Sequence, residues 1–279
     1  MKNSMTLNIK GTLISLQRPL VMGILNITPD SFYGGCRCFE ADAILRRADE
    51  IIAQGGDIID VGAYSSRQGA DDVSEEEEIR RLALALPLIR EKYPETVISV
   101  DTFRANVARY AIEECGAHII NDITAGEGDP FMFETIAKLN VPYIVMHMRG
   151  NPQTMQELTN YKGDITTEVI AYFSEKINTL RSMGVNDIIL DPGFGFAKTL
   201  EQNYILMKNL GDIAQFKLPL LVGISRKTMI YKYLNSTPED SLPGTIALNS
   251  FALAKGANIL RVHDVKECVD TIKIFEKLR

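Results

Sequence analysis

Eight short apolar runs, each followed by a stretch of helical period, constrain this chain more than any other feature. The runs are Leu20–Ile27, Asp57–Val61, Val97–Val100, His118–Ile120, Tyr143–Met146, Asp187–Leu190, Leu220–Ile224 and Ile259–Val262. A strand buried on both faces reads as a continuous apolar run, and strands alternating with helices fold as parallel sheets with right-handed crossovers. Eight such units within 279 residues fit an α/β fold of one domain, a (β/α)8 TIM barrel over residues 1–279. An open doubly wound sheet would carry a glycine-rich phosphate turn after its first strand. Here the first run leads into Asn26-Ile27-Thr28-Pro29-Asp30-Ser31-Phe32, with no such turn. Residues 5–18 alternate apolar and polar about Gly11, the pattern of an N-terminal β-hairpin placed to plug the barrel bottom.

The segments between the runs carry helical start and stop signals. Ala41–Gln54 sets Ile44, Leu45, Ala48, Ile51 and Ile52 on one face and stops at Gly55-Gly56. Ser74–Tyr93 opens with Ser74 and Glu77 in capping-box spacing, and its acids Glu75 to Glu78 read as a solvated first turn that complements the helix dipole. Further helices are expected over Arg104–Glu114, Asp129–Leu139, Asp164–Met183, Thr199–Leu210, Gly244–Lys255 and Val265–Leu278.

A formal net charge of -6 and a pI near 5.3 speak against general nucleic-acid binding while allowing a local basic pocket. The opening MKNSMTLNIKG lacks the apolar stretch of a signal peptide, and no run approaches the roughly 18 apolar residues of a membrane span. Cys36, Cys38, Cys115 and Cys268 are too few for a disulfide scaffold, and Cys36-Arg37-Cys38 has no companions that complete a zinc set. The expectation is a cytoplasmic protein with reduced thiols and small-molecule substrates, without nucleic-acid or membrane partners.

Each run ends on polar or ionisable residues: Asn26, Asp60, Asp101, Asn121 with Asp122, His147, Asp191, Ser225-Arg226-Lys227, and Arg261 with His263. Parallel barrel strands bring such ends to one mouth. Asp101, Asn121 and Asp191 suit a flat, nitrogen-rich ring with alternating donors and acceptors. Asn26, Arg261 and His263 suit an anion, and the Asn26 carbonyl suits a hard cation such as Mg²⁺. Lys227 serves either group as a point charge. There is no G-x-S-x-G, no H-E-x-x-H and no lysine centred in a buried strand, so the reactive groups belong to the substrates and the protein positions them. A strand-end aspartate also serves as a helix cap. His118 starts its run and reads as structural, while Asp60, Asp122 and His147 read as supports for the ligand-binding groups.

Taken together, VMGILNITPDSF (21–32), ISVDTFR (98–104), IINDIT (119–124), DPGFGFAKTLEQN (191–203), GISRK (223–227) and RVHDV (261–265) closely resemble the dihydropteroate synthase family, in the family's order and spacing across essentially the whole chain. The resemblance implies a (β/α)8 barrel that forms homodimers and works in folate biosynthesis. It implies condensation of (7,8-dihydropterin-6-yl)methyl diphosphate with 4-aminobenzoate, giving 7,8-dihydropteroate and diphosphate with the help of Mg²⁺. Sulfonamides compete with the aminobenzoate in that family. By the same resemblance Asp101, Asn121, Met146, Asp191 and Lys227 bind the pterin, Asn26 contacts Mg²⁺, and Arg261 and His263 bind the diphosphate. Asp101, Lys227, Arg261 and His263 are then the catalytic set, and Ser66, Arg67, Phe196 and Ser225 face the aminobenzoate. The second loop departs from the family's Glu-Ser-Thr-Arg-Pro-Gly pattern, reading Ala63-Tyr64-Ser65-Ser66-Arg67-Gln68-Gly69. Gln68 stands where proline would fix φ, and a changed balance between sulfonamide and aminobenzoate affinity is expected of it. Two rivals share the pocket: a pterin-binding methyltransferase domain, which has little use for Arg261 and His263, and a non-catalytic pterin-binding paralogue.

Overall fold

The computed structural model describes residues 5–27, 37–64 and 73–278, with backbone alone at 37–39. Strands β1 (Thr6–Ile9) and β2 (Thr12–Ser15) pair antiparallel. Lys10 and Gly11 between them have φ of 49° and 88°, as a two-residue hairpin turn requires. Eight parallel strands follow: β3 (Leu20–Asn26), β4 (Ile58–Gly62), β5 (Val97–Asp101), β6 (Ile119–Asp122), β7 (Tyr143–Met146), β8 (Ile188–Asp191), β9 (Leu221–Val222) and β10 (Ile259–Val262). They lie in the order β8-β7-β6-β5-β4-β3-β10-β9. A parallel bridge between Leu190 and Leu220 joins the two ends and closes the barrel.

Side-chain alternation along these strands divides the core in two. Val21, Leu25, Ile59, Val61, Ile98, Val100, Ile120, Val145, Leu190, Val222, Leu260 and Val262 face outward into the main apolar cluster under the helices. Leu20, Met22, Ile58, Ile119, Ile144, Ile189, Leu221 and Ile259 face inward and form a separate floor with Leu7, Ile9 and Leu16 of the hairpin region. The hairpin therefore plugs the barrel, and Asn8 N donates to Asp187 Oδ1 at 2.9 Å to fasten it. Two residues further along the same inner faces stand Asp60, Asn121, Met146, Asp191, Gly223 and Arg261. One step of the strand period thus changes the interior from apolar to polar, and that boundary is where the site begins.

The helices are α1 (Arg37–Ala53), α2 (Glu75–Lys92), α3 (Ala105–Glu113), α4 (Met132–Leu139), α5 (Ile165–Ser182), α6 (Leu200–Lys208), α7 (Leu210–Ile213), α8 (Thr228–Tyr231), α9 (Leu242–Ala254) and α10 (Val265–Leu278). Helix α1 starts ahead of the expected Ala41 and includes Cys38. The helix expected over Thr199–Leu210 ends at Lys208 as α6, and the short α7 begins at Leu210, the expected end of that helix. The short α8 has no expected counterpart, since four residues are too few to show a period.

The acidic opening of α2 corrects an expectation. Ser74 Oγ does accept from Glu77 N at 3.2 Å, but the Glu77 carboxylate turns to Arg80 and Arg81 and does not complete the box. Glu78 is fully buried rather than solvated, with Arg104 Nη1 2.5 Å from its Oε2. The reason is helical period: Glu78 shares its face with the buried Leu82, Ala85, Leu86 and Ile89.

Candidate active site

The polar layer is knit together by Arg261 on β10. Its Nε donates to Asp60 Oδ2 at 2.6 Å and its Nη2 to Asp101 Oδ2 at 3.0 Å. Asn121 Nδ2 donates to the same Asp60 oxygen at 3.2 Å. Asp60 sits in mid-strand rather than at the end of its run, opposite Ile24 and Ser99 in register, which seats it beneath the other polar groups. Its remaining oxygen, Oδ1, and the Ser99 hydroxyl are buried without partners. Burial works against the charge of Arg261, but Asp60 and Asp101 outweigh it and hold its pKa above the usual value. Burial pushes the Asp101 carboxyl up to about 7 against the pull of Arg261.

A second group lies across the mouth. Asp191 Oδ1 accepts from Gly193 N at 2.8 Å. Burial raises the Asp191 pKa, with Lys227 opposing. Lys227 Nζ donates to Phe194 O at 2.5 Å and lies 4.5 Å from the centroid of the Phe196 ring. Burial lowers its pKa to about 8, with Asp191 resisting. Met146 joins Ile123, Met148, Met155 and Ala197 in a small apolar cluster, with Phe103 and Phe196 packed against it. These side chains form an apolar wall beside the polar groups, the composition of a ligand pocket.

The anion-binding candidates come from neighbouring strands. Asn26 ends β3, and its Oδ1 lies 3.2 Å from where a side chain on Gly62 would begin. Gly62 in turn is the register partner of Asp101. His263 N donates to Ser225 Oγ at 3.2 Å, while the His263 carbonyl accepts from Arg47 Nη2 at 2.7 Å. Burial and the adjoining Arg261 and Arg47 guanidiniums drive the His263 imidazole down to about 4. The turn between Ser225 and Lys227 passes through Arg226 at φ 57°, a costly conformation for a residue with a side chain. Arg226 pairs with both Asp264 oxygens, at 3.0 and 2.5 Å. Ser66, Arg67 and Gln68 lie outside the described residues, as does Cys36.

The supporting residues divide by task. Asp60 orients Arg261 and Asn121, as the sequence led one to expect. Asp122 faces its own chain, accepting from Thr124 N, Thr124 Oγ1, Gly126 N and Tyr143 Oη at 2.6 to 2.8 Å. His118 Nδ1 accepts from Ile98 N at 3.0 Å on the bottom side. Lys198 was missed by sequence reasoning: it is 4% exposed and meets His147 Nδ1 at 2.9 Å. Its signal was a lysine directly following the apolar segment Phe194-Gly195-Phe196-Ala197.

Among known proteins, a family model described as a pterin binding enzyme matches residues 22–263, the span from β3 to the end of the Arg261–His263 segment. The dihydropteroate synthase of Escherichia coli is 45% identical over 275 residues, covering 98% of this chain and 96% of the relative. The chain belongs to the dihydropteroate synthase family of pterin-binding enzymes. Solved dihydropteroate synthases share its fold. That of Yersinia pestis, crystallised with a sulfonamide drug complex, has a TM-score of 0.90 and 40% identity over 99% of each chain. That of Xanthomonas albilineans with 4-aminobenzoic acid has a TM-score of 0.90 and 34% identity, covering 99% of this chain and 98% of that one. The (β/α)8 barrel and the transferase class of this chain follow the family.

Proposed function

We propose that the mouth of this dihydropteroate synthase barrel binds (7,8-dihydropterin-6-yl)methyl diphosphate and 4-aminobenzoate and joins them into 7,8-dihydropteroate, releasing diphosphate. The observation that carries this reading is the convergence of Asp101, Asn121, Asp191, Lys227 and Arg261 on one polar layer above an apolar floor. A pterin ring offers alternating N–H donors and acceptors. Asp101 and Asp191 accept from it, Asn121 does both, and Met146 covers a face. Phe196 and Ser225 line the aminobenzoate side; Ser66 and Arg67, which the family resemblance assigns to the same side, lie outside the described residues.

In the reaction the bond between the pterin methylene carbon and the diphosphate oxygen breaks, and its electron pair leaves with diphosphate. The cation left on the pterin is delocalised into the ring, where the Asp101 carboxylate stabilises it. Arg261 and His263 hold the departing anion. The aryl amine then attacks the methylene carbon and loses one proton to water, so no strong base is needed.

Mg²⁺ fits this arrangement as a shared ligand. Asn26 offers a neutral carbonyl oxygen at the mouth, and a hard cation held mainly by diphosphate and water needs little more from the protein. Among the described residues no group of three or more His, Cys, Asp or Glu is placed to hold a metal alone. When bound, it neutralises charge on the diphosphate.

A homodimer is proposed on the exposed apolar side chains of Phe251, Ile274 and Leu278 on α9 and α10. A cytoplasmic setting accords with the free, buried thiols of Cys115 and Cys268. Among the described residues no helix is long and apolar enough to cross a membrane. The deciding experiment is a steady-state assay of diphosphate release. Release that needs both substrates supports the synthase, and pterin binding without release refutes it.

A further inference from the structure

Lys198 has no part in the reaction above, yet its ammonium is enclosed by four acceptors. Nζ lies 2.9 Å from His147 Nδ1, 2.9 Å from Gly193 O, 3.0 Å from Phe196 O and 3.3 Å from His147 O. All four are neutral. A buried ammonium persists only where such bonds replace its water, so the cage and the lysine specify each other. Burial pushes the Lys198 pKa well below its usual value, with Asp191 opposing; in its protonated form the lysine has donors only and meets His147 Nδ1 as an acceptor.

The cage spans two strand ends. His147 follows β7, whereas Gly193 and Phe196 belong to the turn after β8. The turn already crowds β7: a side chain on Gly193 would begin 2.1 Å from His147 O, and Gly193 has φ 66°. His147 N also bonds to Asp191 O at 3.0 Å. Lys198 is therefore a cross-brace from one strand end to the turn of the next. That same turn supplies the seats of two pterin-site groups. Phe194 gives its carbonyl to Lys227 and Phe196 lays its ring against the same ammonium, while Gly193 gives its N–H to Asp191.

We infer that Lys198, braced by His147, is a positioning residue for the pterin site: it shapes the Gly193–Phe196 turn, and the turn places Lys227 and Asp191. The inference rests on the synthase reading only for its kinetic assay. Lys198→Met in the full-length enzyme is expected to raise both the KM for pterin diphosphate and the calorimetric Kd for pterin about tenfold, with kcat per active site changed less than about threefold. A lysine that merely supports the fold would lower Tm and the yield of active enzyme while leaving both constants of the surviving enzyme at parental values, and that result overturns the inference.

The His147 pair decides the matter if Lys198→Met does not fold. His147→Leu is expected to raise the pterin Kd about threefold, and His147→Gln, which returns an acceptor, to recover most of the loss. Equal effects of the two, or none, overturn it. Failure of the parent enzyme to release diphosphate would strike the synthase reading instead, and the pterin Kd values would still judge the brace.

Discussion

Arg261 and Asp60 meet across the barrel interior, Nε to Oδ2 at 2.6 Å, although Asp60 is fully buried and its other oxygen has no partner. Loss of the Asp60 charge leaves Arg261 with Asp101 as its remaining ion-pair partner, and breaking a buried pair costs more than the pair itself contributes. Asp60→Asn is expected to destabilise the enzyme by on the order of 3 kcal/mol, measured by urea unfolding. It should also raise the pterin KM, because Arg261 and Asn121 then share a neutral amide oxygen in place of a charged carboxylate oxygen. An unchanged unfolding midpoint would contradict the clamp.

The pH dependence of pterin binding should be bell-shaped. Asp101 must be ionised to accept from ring N–H groups, and burial holds its carboxyl near about 7. Lys227 must be protonated, and burial lowers it to about 8. Affinity therefore rises with pH through the first value and falls through the second. Asp101→Asn should erase the acid limb and Lys227→Arg the alkaline limb in KM profiles for pterin diphosphate. Stability moves the opposite way for Asp101. Its folded pKa lies above the usual 3.8, so its stabilising effect is complete below that value and is lost as pH rises to about 7.

Asp191 should tune Lys227 as well as bind substrate, since its charge resists the lowering of the lysine pKa by burial. In Asp191→Ala the alkaline limb of the pterin KM profile should move to lower pH, alongside a weaker KM at every pH. A limb that stays in place would separate the two residues electrically.

The hairpin plug gives a contrasting expectation. Leu7 is 2% exposed in the floor cluster, so Leu7→Ala should cost about 3 kcal/mol in thermal or urea unfolding. Because the floor lies below the polar layer, KM for both substrates in the folded fraction should match the parent. A tenfold KM change would mean that the floor shapes the site directly.

Asn26→Ala tests the cation seat. Titration of Mg²⁺ should show the half-saturating concentration for diphosphate binding rising about threefold to tenfold, with pterin binding in the absence of diphosphate unchanged. Equal Mg²⁺ dependence in the variant and the parent would remove Asn26 from that role.

The barrel was legible because strand and helix patterns repeat, and an error in one unit is outvoted by the others. The rim residues were legible because Asp101, Asn121, Asp191 and Lys227 interrupt apolar runs, where a polar side chain needs a reason. Glu78 was hidden by its neighbours: among four acids a local reading sees a solvated turn, and only the face shared with Leu82 and Leu86 reveals burial. Lys198 was hidden differently. Its partners are mostly backbone carbonyls, which carry no mark in a sequence. The four-residue α7 after Asn209 is too short for periodicity to record.

The passage from apolar floor to polar layer within one strand period also shapes the electric field. A low-dielectric base gives field lines from Arg261 and Lys227 no aqueous exit below, so they emerge through the open end. Arg261 and Lys227 thereby place two cationic groups at the mouth of a chain of net charge -6. A phosphorylated substrate approaching an acidic protein is then drawn to this aperture, and its capture rate should fall as salt is added.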